Sequence, residues 1–241
     1  MTDKLIYQIG LTMINGVGDI LARHLLQTLD DAEAVFAEKQ QLLGRIPGIG
    51  SHLAAEIKRP EILQRAEKEL AFIEKNNISC YYLTDADYPA RLRECPDAPI
   101  LFYFKGNTNL DASRIISVVG TRNATEYGRG LTESLIKDLA EAIPNLLVVS
   151  GLAYGIDICA HRSALHNQLP TVAVLAHGLD RIYPSSHRNT AVEMLESGGL
   201  LTDFPSGTEP DRPNFLRRNG LSLECRIVRS WLNRLRKEVL W

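Results

Sequence analysis

The chain has 241 residues, 45% hydrophobic and 23% charged, with a formal net charge of −2. Such a composition describes an ordinary globular chain long enough for one or two domains, and it excludes holding a polyanion by overall positive charge, so any such site must be a local patch. No apolar stretch reaches membrane-spanning length, and Met1-Thr2-Asp3-Lys4 opens without the apolar core of a signal peptide, so a cytoplasmic location is expected. Cys80, Cys95, Cys159 and Cys225 are scattered without the paired spacing of a zinc site, and free thiols are the expected state.

Residues 1–75 read as a helical domain with an internal echo. Ile14-Asn15-Gly16-Val17-Gly18 is followed by Ile20, Leu21, Leu25 and Leu26; Ile46-Pro47-Gly48-Ile49-Gly50 is followed by Leu53, Ala54 and Ile57. Each copy is a glycine–aliphatic–glycine turn opening an amphipathic helix, the pattern of a helix-hairpin-helix unit. Such turns can offer backbone N–H groups to a phosphate, or they can simply reverse the chain inside a packing module. Acidic residues among the basic ones (Asp30, Asp31, Glu67, Glu69) leave both readings open.

The composition changes near residue 76, where a second domain is expected to begin and to run to about residue 225. Cys80-Tyr81-Tyr82-Leu83 and Leu101-Phe102-Tyr103-Phe104 read as strands at the edge of the sheet that follows, with Asp87-Tyr88-Pro89 as a turn. Ile115-Ile116-Ser117-Val118-Val119 is an apolar, β-branched run, the mark of a strand buried on both faces. Gly120-Thr121-Arg122 follows at once, and leucines at 131, 135 and 139 then repeat at helical spacing. Strand, glycine turn and helix make the anion-binding corner of a doubly wound sheet. The turn lacks the later glycines of a dinucleotide fingerprint, so Arg122 suggests a phosphate held by a side chain as well. The plainer alternative is an arginine paired with a nearby carboxylate.

Further strand–helix units follow. Leu146 to Ser150 leads into Gly151-Leu152-Ala153-Tyr154-Gly155, and Thr171 to Leu175 into His177-Gly178. Tyr183-Pro184-Ser185-Ser186-His187 precedes a helix around Ala191–Leu195, and Gly199–Thr202 is a shorter fourth strand. The alternation predicts a parallel βαβ sheet of Rossmann-like type, with Gly120, Gly151 and Gly178 lining one crevice at the strands' C-terminal rim. Asp157 and His161 share a helix face, which suggests acid–base work; an aspartate satisfied by N–H groups in a first helical turn is the simpler reading. Near the end, Phe215 stands among Arg212, Arg217, Arg218 and Asn219. A phenyl ring can stack on an unpaired base while guanidinium groups hold phosphates, or it can be a core residue beneath a solvated basic face.

Taken in order, Gly120-Thr121-Arg122, the Ser150-to-Asp157 segment with His161, Tyr183-Pro184 with His187, and Phe215 with Arg217-Arg218-Asn219 resemble the bacterial DNA-processing protein A (DprA, or Smf) family over residues 1 to about 225. The resemblance implies a small helical domain, of helix-hairpin-helix or SAM-like type, before an extended Rossmann-like domain. It implies non-sequence-specific binding and protection of single-stranded DNA during natural transformation, loading of the RecA recombinase, and action as a homodimer. It implies no catalytic activity, cofactor, metal or membrane. The implied DNA pocket uses Arg122, Arg212 and Phe215, with Gly120, Thr121, Ser150, Gly151, Gly155, Gly178, Arg217, Arg218 and Asn219 completing the nucleic-acid-binding set.

The resemblance fails after Asn219, where Gly220-Leu221-Ser222 follows directly and residues 226–241 form a basic tail unlike the family. The expectation is a truncated or frame-shifted end that lacks the last sheet elements and the usual dimer surface, impairing dimerisation and RecA loading. Two rivals stand beside this reading. One is a Rossmann enzyme of phosphoribohydrolase type, whose glycine-rich phosphate loop with a following threonine and carboxylate is missing here. The other is a non-functional remnant of the family.

Overall fold

The structure, a computed structural model, describes residues 2–215. Arg217, Arg218, Asn219 and the basic tail over 226–241 lie outside the described residues. The chain divides into two compact units, one of residues up to Tyr88 with Arg93–Tyr103, the other of Pro89–Leu92 and the residues from Phe104 onward.

The first unit is built from α1 (Thr2–Thr12), α2 (Asp19–Leu29), α3 (Ala32–Ala37), α4 (Gln40–Leu43), α5 (Gly50–Ile57), α6 (Pro60–Lys75) and β1 (Ser79–Tyr82). Local chemistry sets the helix starts. Pro60 opens α6, where its missing N–H is no loss, and the Asp31 carboxylate accepts from Ala34 N at 2.7 Å to cap α3. Ile9, Leu25, Val35, Leu43, Ala54, Ile57 and Ala66 are fully shielded and form its core.

The internal echo has a structural counterpart. Gly16 and Gly48 both adopt φ near +85° (82° and 88°), the left-handed region glycine enters freely. A Cβ on Gly16 would lie 2.9 Å from a methyl of Leu53, and one on Gly48 would lie 3.3 Å from a methyl of Leu21. Each turn is therefore roofed by the leucine that follows the other turn, and the repeat is a packing symmetry.

Six strands form one sheet in the order β1-β2-β6-β5-β4-β3, with β2 (Leu101–Gly106), β3 (Ile115–Ser117), β4 (Leu147–Ser150), β5 (Thr171–Val174) and β6 (Gly199–Thr202). The last four are parallel neighbours, in register Ile116 with Val148, Val149 with Val172, and Ala173 with Leu200. A short α7 (Ala90–Arg93) lies between β1 and β2 in the chain, and crossovers are made by α8 (Glu126–Ala142), α9 (Ile156–His166) and α10 (Arg188–Ser197). A parallel sheet needs cover on both faces. On one, Ile136, Ala160 and Ala164 pack on Leu146 and Val148, while Ile158, Ala191 and Met194 pack on Ala173, Leu175 and Leu200. On the other, Ile115, Leu147, Val149, Val172 and Leu201 meet Pro89, Leu92 and Leu110 around an apolar cavity of about 30 Å³. The extended Rossmann-like sheet after a helical segment is the fold the sequence predicts, with β1 and β2 at one edge. The expected Ile115–Val119 strand is regular only to Ser117, although Val118 N–H still donates to the Val149 carbonyl at 2.8 Å.

Candidate functional site

Parallel strands place the loops after β3, β4 and β5 on one rim. The loop after β3 is the most open. Gly120, Thr121 and Arg122 are all exposed, and their backbone lies directly on the start of α9. A Cβ on Gly120 would sit 2.5 Å from Cβ of Ile156, and one on Gly155 would sit 2.1 Å from the Thr121 carbonyl oxygen. Glycine is therefore required at both positions, doubly so at Gly155, whose φ is +79°. Gly120 N–H donates to the Asp157 carboxylate at 3.4 Å, and Ile156 N–H donates to the Thr121 carbonyl at 3.2 Å. Asp157, in the first turn of α9, thus accepts from a donor in the loop after β3.

Those contacts revise the anion-binding corner. The first N–H of α9 is taken by Thr121, and at α8 the Thr125 hydroxyl accepts from Gly128 N–H at 3.1 Å. Part of the helix-end donor set is occupied by the chain itself, and the Arg122 side chain is what this loop offers outward. Among the described residues Arg122 has no carboxylate partner. Its guanidinium lies over the Phe215 ring, 4.7 Å from the centroid. Phe215 is half-buried, and its ring stands 6.1 Å from that of Tyr183 at an interplanar angle of 54°. Arg212 is exposed one turn earlier. Phe215 N–H donates to the Asp211 carbonyl and Asn214 Nδ2 to the Glu209 carbonyl, which fixes the turn that carries the ring.

The loop after β4 is closed. Ser150 and Gly151 are buried, and the Ser150 hydroxyl donates to the Val118 carbonyl at 2.6 Å, tying the ends of β3 and β4 together. Leu152 is fully buried with φ of +56°, a strained conformation for a branched side chain. Two histidines hold it. Thr171 donates its hydroxyl proton to the Val148 carbonyl at 3.0 Å, so it accepts from His161 Nδ1–H at 2.7 Å. That tautomer leaves His161 Nε2 to accept from Leu152 N–H at 3.3 Å. From the other side, His187 Nδ1–H donates to the Leu152 carbonyl at 2.8 Å. His161 is buried within this network, with both ring nitrogens engaged by Leu152 and Thr171.

The loop after β5 is braced by charge. Gly178 is buried, and a Cβ there would meet the Asp180 carboxylate and the Pro205 carbonyl at 2.5 Å each, so only glycine fits. Asp180 accepts from Gly207 N–H at 2.9 Å and from Arg181 at 3.0 Å, and Arg181 also pairs with Glu209. These bonds hold the Asp180 carboxyl below its usual range against the opposing effect of burial, which is the largest single influence on it. For His177, by contrast, burial is itself the cause that holds the imidazole below the ordinary 6.5.

The structure therefore corrects the expectation of one open crevice lined by three glycines. Gly120 is exposed, whereas Gly151 and Gly178 lie beneath their own loops. Among the described candidates it brings Arg122 and Phe215 together, and it adds Tyr183, which the sequence places before a helix and within a family motif but not in the binding set. Tyr183 and Phe215 lie 32 positions apart in the chain, so only the fold reveals their proximity. No group of three or more possible metal ligands occurs among the described residues. Cys80 and Cys159 are free thiols, and burial pushes the Cys80 thiol up to about 12.

Fold and rim together define a Rossmann-like protein whose open loop carries an arginine–aromatic pair and whose other loops are committed to holding shape. Residues 79–229, more than half of the chain, match the family DNA recombination-mediator protein A, and the chain belongs to this DprA/Smf family. It is 33% identical to Protein Smf of Synechocystis over 88% of this chain and 54% of that protein. It is 31% identical to DNA processing protein DprA of Streptococcus pneumoniae over 82% of this chain and 68% of that one. The X-ray structure of the Streptococcus pneumoniae protein aligns with a TM-score of 0.68 at 28% identity, covering 92% of this chain and 75% of that one. The DNA processing protein A of Helicobacter pylori, described for its single-stranded DNA binding mode, aligns with a TM-score of 0.55 at 29% identity over 63% and 66%. The chain spans about half the length of the first curated relatives it matches.

Proposed function

We propose that this chain binds single-stranded DNA without sequence preference at the rim beside β3, as a non-catalytic, cytoplasmic DNA-processing protein in natural transformation. The observation that carries the reading is the Arg122–Phe215 pair. A guanidinium without a carboxylate partner among the described residues, held over an aromatic ring, presents a phosphate contact within a cluster of aromatic rings. Family membership and the Helicobacter pylori relative's described binding mode support the same ligand. His161 and His187 hold Leu152, and Asp157 holds Gly120, which supports binding over chemistry. RecA loading and homodimerisation belong to this proposal as partner activities of the family. Arg212 is proposed as a second phosphate contact, together with Arg217, Arg218 and Asn219.

Titrating a labelled oligothymidylate at several salt concentrations tests the reading. Affinity is expected to fall with salt at about 0.7 counterions per phosphate neutralised, and to vary little among base sequences. Tight, salt-insensitive binding of a mononucleotide would overturn it in favour of a nucleotide enzyme.

A further inference from the structure

Phe215 is only half-buried, yet its ring is not an open platform. The Arg122 guanidinium covers one face at 4.7 Å, and Tyr183 leans against it with rings tilted by 54°. A base cannot lie parallel to both rings at once, and stacking on the covered face of Phe215 would displace the cation. Among the described residues of this cluster the more exposed ring is that of Tyr183, at 44%. Its loop is rigid. Leu179 and Ile182 pack into the core beside Ala191 and Leu200, while Asp180 and Arg181 bind Gly207 and Glu209. A platform fixed in this way loses little entropy when a base settles on it.

Resting on the single-strand reading above, we propose that Tyr183 is the base-stacking residue of this site and that Phe215 acts as a positioning residue for Arg122. One nucleotide then lays its base on the outer face of the Tyr183 ring while an adjoining phosphate meets Arg122. Only an unpaired base has an accessible face to offer, so Tyr183 also carries discrimination against duplex.

The test uses the full chain with two strands of equal length, an oligothymidylate and one made wholly of abasic sugar-phosphate units. Tyr183→Leu and Tyr183→Phe are compared with the unmodified protein. Tyr183→Leu is expected to weaken thymidylate binding roughly 5- to 150-fold while leaving abasic binding and the salt slope nearly unchanged. Tyr183→Phe keeps the ring and is expected to retain thymidylate affinity. A 2-aminopurine placed in the strand is expected to be quenched by the unmodified protein and by Tyr183→Phe, but not by Tyr183→Leu. Unchanged thymidylate affinity in Tyr183→Leu would overturn the assignment while leaving the single-strand reading intact, as would an equal loss on both strands, which would mark a purely structural role. Absence of single-strand binding by the unmodified protein would sink both.

Discussion

The loops after β3 and β4 start from the same place, the C-terminal end of a buried parallel strand, and run into a glycine. They end in opposite conditions. After β3 the backbone is fixed from below by Gly155, Ile156 and Asp157, while Thr121 and Arg122 face solvent. After β4 the chain turns inward, Leu152 is fully buried, and two histidines grip its N–H and carbonyl. One loop is shaped so that a side chain can reach out, and the other is the anvil on which it is shaped. Motifs of equal prominence in a sequence can therefore belong to different sides of function, contact and support.

The largest expected effect breaks the join between the two loops. Gly155→Ala places a methyl 2.1 Å from the Thr121 carbonyl at a φ of +79°. Neither backbone can yield without moving the other, so destabilisation on the order of 3–5 kcal/mol is expected from strain and overlap together. Urea denaturation measures it. A stable Gly155→Ala protein with unchanged affinity would mean that the loops are not coupled.

Next in size is His161→Ala, which leaves Leu152 N–H without its acceptor and Thr171 without its donor inside a sealed network. Unsatisfied buried groups of this kind cost about 2–3 kcal/mol. Folded His161→Ala protein is expected to bind single strands through Arg122 nearly as well as before at a temperature where it is native. Lost binding with undiminished stability would instead mark the histidine as a ligand group.

How much of this was legible in the sequence follows from the range of the forces involved. The Ile115, Leu146 and Thr171 runs announce their strands because burial on both faces demands continuous apolar, β-branched residues. Arg122 was legible because a charged residue just after such a strand needs an explanation. The burial of Ser150, Gly151 and Gly178 was not, because it depends on partners remote in sequence: Val118 for Ser150, and Pro205 and Ser206 for Gly178. Tyr183 stayed hidden for the same reason, its neighbour Phe215 arriving from a different loop. In the first unit the glycine echo was plain, but the exchange of Leu21 and Leu53 across the two turns appears only once both are folded.

A smaller effect sharpens the contrast from the exposed side. Arg122→Ala is expected to weaken single-strand binding by about 1–2 kcal/mol and to lower the salt slope by about 0.7, one phosphate's share. Its stability should stay within about 0.5 kcal/mol of the parent, since an exposed loop side chain loses no buried contact. Equal salt slopes for the two proteins would remove Arg122 from the phosphate contact.

The smallest effect concerns Phe215, and its size separates two roles for the ring. If Phe215 were the stacking surface, replacing it would remove about 1–3 kcal/mol of base contact. With its face under the Arg122 guanidinium at 4.7 Å, it instead restrains a cation at a partly exposed site, an interaction of about 0.5–1 kcal/mol. Phe215→Leu keeps apolar bulk in the half-buried position but loses the ring's quadrupole. The expected outcome is a loss of about 0.5–1 kcal/mol on thymidylate and abasic strands alike, because the freed guanidinium must be ordered again each time it meets a phosphate. Combined with Arg122→Ala, the Phe215→Leu change should have almost no further effect, since the ring would then have nothing to position. Additive losses in that double-mutant cycle would return Phe215 to the role of an independent base contact.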